Sequence, residues 1–232
     1  MLHLLLSLAL AGAGSAAAYT PTEDYSVHHS RGFTILISPE VRAVPGQKAA
    51  ALAFIDRKLA EIVRRVPKDA VNRLREVRIW VEWTQTEEGS TYHPSVDWLI
   101  QNGYNPDKER SVQVSNLRHF IDWGSSDQPM ILLHELAHAY HHVVLGYEDP
   151  SVLAAYKHAL DTDLYAAVPY VHGGTPRAYA LTNEKEYFAE LSEAYFGRND
   201  FFPYTRDDLR KYDPAGFEMI ERAWKAPESG RP

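Results

Sequence analysis

The chain has 232 residues, 45% of them hydrophobic and 24% charged, enough for one well-buried core and too few to require two large domains. Its formal net charge is -7, and no Lys/Arg cluster is interleaved with aromatics, which excludes nucleic acid as the expected partner. Cysteine is absent, so disulfides, thiolate metal ligands and cysteine nucleophiles are excluded as well.

The first residues, MLHLLLSLALAGAGSAAAYT, hold an apolar run from Leu4 to Leu10 followed by small residues ending in Ala16-Ala17-Ala18. This is the pattern of an export leader cleaved after Ala18, and the run is shorter than the roughly 20 residues that span a bilayer. The expectation is a leader at 1–18, one catalytic domain at 19–232, and a mature chain that works outside the cytoplasm without a membrane anchor. Tyr19 to Gly32 reads as polar and irregular, with His28 and His29 in solvated loop. Phe33, Ile35 and Ile37 alternate with their neighbours as a strand does, and Pro39 ends the run. From Gln47 to Val66, apolar residues recur every three or four positions, which predicts a long helix bounded by Pro45-Gly46 and Pro67.

Val77, Ile79, Val81 and Trp83 predict a second strand with one face in the core and the other partly wet. Thr91 to Lys108 is rich in turn formers around a short helical piece at Val96 to Ile100, and Ser111 to Ser115 predicts another strand. The second half reads as helices. One has Asp127 as its N-cap, Pro129 in its first turn and Gly146 as its stop; another runs from Glu184 to Phe196, stopped by Gly197. The tail from Pro203 to Lys225 adds two helical pieces. Strands followed by helices predict an α+β domain, with a small mixed sheet packed on the helix that carries the chemistry.

That helix contains His134-Glu-Leu-Ala-His138 among apolar flanks. Residues four apart share a helical face, so both imidazoles reach one metal ion, and burying them beside a carboxylate is costly unless something satisfies them. Glu135 lies about 100° round the helix and is better placed to take a proton from an activated water than to be a ligand. A catalytic zinc needs a third protein ligand and an open position. The His-Glu-x-x-His-x-x-Gly-x-x-His pattern is excluded, because His141 and Val144 stand where it needs Gly and His. His141 and His142 read as supporting or surface residues. Glu186 and Glu190 are four apart on the later helix, so one can bind the ion and the other can orient an imidazole. Glu186 is assigned as ligand and Glu190 as the partner of His134, with Glu193 solvated or paired. A capping role for Glu186, with Asn183 as N-cap, is the competing reading.

The His-Glu-x-x-His helix followed by Asn183-Glu-Lys-Glu-Tyr-Phe-Ala-Glu190 resembles the gluzincin peptidases of the anthrax lethal factor type. Tyr92 to Ser95, Asn102 to Pro106 and Tyr195 to Pro203 resemble a widespread exported branch with the same core. The specific likeness spans roughly residues 127 to 203 and implies a zincin-like fold, Glu186 as the third zinc ligand and Tyr179 as oxyanion donor. The expectation is an exported zinc endopeptidase acting on protein or peptide substrates, with one Zn2+ ion. A zinc-containing binding protein that cleaves nothing, or an amide hydrolase acting on non-peptides, remains the alternative. A free sheet edge near Val112 and Val114 is the expected place for an extended substrate.

Overall fold

The computed structural model describes residues 19–83 and 89–225; the expected leader at 1–18 lies outside them. Five strands form one mixed sheet: β1 (Ser26–Ser30), β2 (Phe33–Ile37), β3 (Ile79–Val81), β4 (Thr91–His93) and β5 (Ser111–Val114), in the order β1-β2-β3-β5-β4. The central three run parallel, while β1 and β4 pair antiparallel at the two edges. Ten α-helices accompany the sheet among the described residues: α1 (Pro39–Ala43), α2 (Pro45–Arg65), α3 (Lys68–Leu74), α4 (Val96–Gln101), α5 (Leu117–Ser125), α6 (Ile131–Tyr140), α7 (Pro150–Asp161), α8 (Glu184–Phe196), α9 (Arg206–Tyr212) and α10 (Pro214–Trp224). The α+β expectation is met.

Alternation places Ile35, Ile37, Ile79, Val81, Val112 and Val114 on one face of the sheet, where they join the core built by α2, α5 and α6. The opposite face is also covered. Trp80 is fully buried there against the edge of Tyr25, and Glu82 accepts hydrogen bonds from Tyr25, Lys108 (2.7 Å) and Gln113. The expected half-wet strand is therefore a central strand buried on both sides; Glu82 just past its end is satisfied by a buried network instead of by water, while the Trp80 indole N–H is buried without a partner.

Three further expectations change. Ser26 to Ser30 is a strand and not loop, with the exposed His28 and His29 on a sheet edge. β5 is an interior strand, so the free edge beside the core is β4, which lies in the segment read as turns. Asp127 does not cap α6, the helix that carries His134 and His138. The amides of Asp127 and Gln128 turn back onto the Trp123 carbonyl, and α6 starts only after Met130. At its other end α6 runs into a π-helical turn, His141–Leu145, which Gly146 ends with φ +83°, a conformation that disfavours a side chain.

α6 and α8 pack against one another, and Gly197 shows how closely. A Cβ there would run into the Met130 side chain at the start of α6, which would have to shift to make room for it. α10 braces both helices. Trp224 stacks on Tyr140 of α6 (4.3 Å between centroids) and on Phe188 of α8 (5.9 Å), and its indole N–H donates to Ser192 Oγ at 3.0 Å. Asp213, wholly buried before α10, accepts from the Tyr165 hydroxyl at 3.0 Å and from that of Tyr187 on α8. Of the described residues, no helix is long and apolar enough to cross a membrane.

Candidate metal centre

Leu, Ile and Ala fill α6, and every residue in it is buried except His134 and His138, whose side chains keep 13% exposure each. One stripe of an otherwise submerged helix thus reaches a cleft, and it is the imidazole stripe. The rings stand edge to face with centroids 4.8 Å apart. α8 supplies the third group. Asn183 caps it, its side chain accepting from the amides of Lys185 (2.9 Å) and Glu186 (3.0 Å), which fixes the first turn. The Glu186 carboxylate does not reach back to the cap but turns across to α6. Its Oε2 lies 3.1 Å from His134 Nε2 and 3.2 Å from His138 Nε2.

These separations can be set against the size of an ion. Ligands about 2.0–2.1 Å from a tetrahedral centre are about 3.3–3.4 Å from each other. Two imidazole nitrogens and a carboxylate oxygen at 3.1 and 3.2 Å therefore match, in donor type and spacing, the ligand set of a tetrahedral metal site. His134 and Glu186 are joined by a hydrogen bond. Burial alone would lower the His134 pKa, but hydrogen bonds to Glu186 and Glu193 outweigh it and hold this pKa well above the usual range. Burial likewise opposes ionisation of Glu186, and the two imidazoles overturn that, pulling the carboxyl far below the usual carboxylate range.

The partner of His134 is not the residue expected. Its Nδ1 donates to Glu193 Oε1 at 2.7 Å, whereas Glu190 Oε1 stands at 3.7 Å, beyond hydrogen-bond range. Glu193 is buried and unsolvated. Positions 186, 190 and 193 follow i, i+4 and i+7, so the third lies almost directly below the first on the face of α8 that meets α6. With Glu193 holding the proton on Nδ1, loss of the proton on Nε2 would free that nitrogen's lone pair for an ion.

Glu135 is buried against the same cleft, and Ser90 Oγ donates to its Oε1 at 3.0 Å. Tyr179 opens a short 3-10 turn just ahead of α8, with its ring centroid 6.3 Å from that of His134 and 47% of the residue exposed. Burial of part of the ring and the nearby Glu186 push its phenol up to about 12. A second phenol, Tyr147, lines the cleft after the π-helical turn. Its ring stacks on His142 (4.7 Å) and lies under the Lys185 ammonium (4.8 Å), and it too is pushed up to about 12, by burial and then by Glu186 and Glu184. The cleft has a volume of about 230 Å3 and includes His134, Glu135, His138, Glu186, Tyr147 and Tyr179. A larger cavity of about 780 Å3 lies on the far face of the sheet near Glu82 and Lys108 and shares no lining residue with it.

His141 is a core residue and not a surface one. It is fully buried against Phe188 and Tyr147 with neither ring nitrogen hydrogen-bonded, and burial, followed by the His138 charge, lowers its pKa to about 4. His142 is half-buried, with Nδ1 3.0 Å from the Tyr92 hydroxyl. Ser90, Tyr147, Lys185 and Glu193 were not foreseen as site residues. Only Glu193 carried a periodic signal, its i+7 spacing from Glu186. Comparison of the chain with protein-family models, with curated proteins and with solved structures finds no match.

Proposed function

We propose that the chain is an exported zinc-dependent endopeptidase of zincin-like fold, holding one zinc ion on His134, His138 and Glu186. The observation that carries this reading is the convergence of two imidazoles from α6 and a carboxylate from α8 within 3.2 Å contacts, beside a carboxylate that is not part of the set. When bound, zinc supplies Lewis acidity and lowers the pKa of a water to about 7. Glu135 takes the proton of the attacking water and passes it to the leaving amine, with Ser90 holding one of its oxygens. Tyr179, kept protonated far above neutral pH, donates its O–H to the oxygen on which charge develops, an interaction stronger in the transition state than in the ground state. β4 is the edge strand next to this centre, since Thr91 and Tyr92 line the cleft, and its unpaired side suits an extended peptide.

The test is Glu135→Gln, assayed by metal content and by digestion of a broad peptide library with a chelator control. The variant is expected to keep its zinc and to lose cleavage by about 10²- to 10⁴-fold, the usual worth of a general base. Turnover close to that of the unaltered chain would remove Glu135 from the mechanism. A loaded chain that cleaves no peptide would favour the binding protein, and cleavage confined to simple amides would favour the non-peptide hydrolase.

A further inference from the structure

The second cavity, across the sheet from the metal cleft, has a volume of about 780 Å3. Sites for small molecules run from about 300 to 1,000 Å3. Its lining includes residues that come just after each of the three parallel strands: Glu40 after β2, Glu82 and Trp83 after β3, and Ser115 after β5. In open sheets, ligands settle outside the carboxyl ends of parallel strands, which is where this cavity lies. Tyr19 to Pro21 and Asn102 to Asn105 close its sides. Asn105 ties these two segments together, its Nδ2 donating to the Thr20 carbonyl at 3.1 Å and to Thr22 Oγ1 at 3.0 Å.

Two lining residues form a buried ion pair, Lys108 Nζ lying 2.7 Å from Glu82 Oε1. Such a pair is costly to bury, and a hydrophobic pair would serve stability as well or better. The carboxylate is saturated, since Tyr25, Lys108 and Gln113 all donate to it. The ammonium is not. It carries three donors, and among the described residues Glu82 is its one hydrogen-bond acceptor, with the ring centroids of Trp80 and Tyr104 at 5.7 and 5.8 Å. Its remaining N–H groups call for oxygen acceptors from within the cavity. Because Glu82 already balances the charge, Lys108 offers hydrogen bonds and no net attraction for an anion, and the exposed Asp24 and Glu40 of the lining repel one. A cation would meet the ammonium, with the buried carboxylate already taken. Hydroxyl groups suit both kinds of neighbour, since each accepts from an ammonium and donates to a carboxylate. Trp83, half-buried in the same lining, adds an aromatic surface on which the C–H face of a ring can pack, whereas Tyr104 is packed on Trp98 and His93.

We infer that this cavity binds a neutral sugar, with hydroxyls between Lys108 and the outer carboxylates and a C–H face against Trp83. The site depends neither on the metal nor on peptidase activity. Saturation-transfer NMR on the full chain tests it, with glucose, galactose, mannose, N-acetylglucosamine, lactose, cellobiose and maltose as neutral probes. Glucuronate, glucosamine and glycine serve as the charged ones. At least one neutral probe is expected to receive saturation and to bind more tightly than every charged probe. Lys108→Met and Trp83→Leu are each expected to weaken that binding by about tenfold or more. Should Lys108→Met fail to fold, its Glu82 being left without a counter-charge, Trp83→Leu decides alone. Saturation of no neutral probe would leave the cavity to water and overturn the site, as would tighter binding of a charged probe. Binding that Trp83→Leu leaves unchanged, as chelation of hydroxyls at the metal cleft would be, overturns it equally.

Discussion

The two carboxylates below His134 make opposite predictions for ion affinity. Glu193 accepts from His134 Nδ1 at 2.7 Å, and Glu190 stands at 3.7 Å. A hydrogen bond to an ionised acceptor contributes about 1.5–3 kcal/mol, against about 0.5–1.5 for a neutral pair. Glu193→Gln keeps an acceptor oxygen in place and removes the charge, so it costs about 1–1.5 kcal/mol of ring orientation and basicity. That is about tenfold in zinc affinity, the lower end of the 10- to 100-fold range for losing such a partner. Glu190→Gln removes no hydrogen bond from His134 and relieves repulsion with Glu193 and Asp200. Its zinc affinity should change by less than about threefold, and its unfolding midpoint without metal should rise. Competition with a chromophoric chelator at fixed pH gives both affinities, and circular dichroism melts give the stability. A larger loss of affinity for Glu190→Gln than for Glu193→Gln would refute the assignment and restore the i+4 residue as the partner.

Two further outcomes are expected. Tyr179→Phe should lower kcat by about 10²-fold with zinc content and KM little changed, because the phenol acts on charge that develops only during reaction; a rise in KM with kcat intact would make it a ground-state contact. The buried neutral His141 should make stability depend on acid. Its pKa is about 4 in the folded chain, below the ordinary histidine value of 6.5, so the unfolded chain binds more protons between these values. Its contribution is complete above pH 6.5 and is lost as pH falls toward 4, a total of about 3 kcal/mol by linkage. Stabilities from urea titrations of the unaltered chain and of His141→Leu should diverge by that total across this window, and parallel curves would show that His141 is not held neutral.

The sequence made α8 legible to the residue, because Asn183 caps its start through a local side-chain hydrogen bond and Gly197 stands at its end. The same local logic misled at the start of α6. Asp127 is a good cap in isolation, yet its amide is taken by the Trp123 carbonyl from the preceding helix, a contact that no periodicity reports. β1 escaped notice because Val27, His28 and His29 are all exposed, so its sequence carries no alternation, and its strand form comes from pairing with β2. β4 is three residues long among turn formers, and only the register with β5 makes it a strand. Of the candidate site, His134, Glu135 and His138 could be read from spacing along one helix, and Glu186 needed a second helix with a likeness to a known pattern. Ser90, Tyr147 and the second cavity arise where separate segments meet, which one-dimensional spacing does not encode.

The bracing of α6 and α8 by Trp224 sets an order on assembly. The candidate nitrogen ligands and the candidate oxygen ligand sit on neighbouring helices, but the indole that wedges behind both is the last residue of the final described helix. A ribosome makes that tryptophan only after His134, His138 and Glu186. A nascent chain therefore carries the three candidate ligands before it has the backing that fixes them, and the proposed ion site is expected to hold firmly only once Trp224 has joined it.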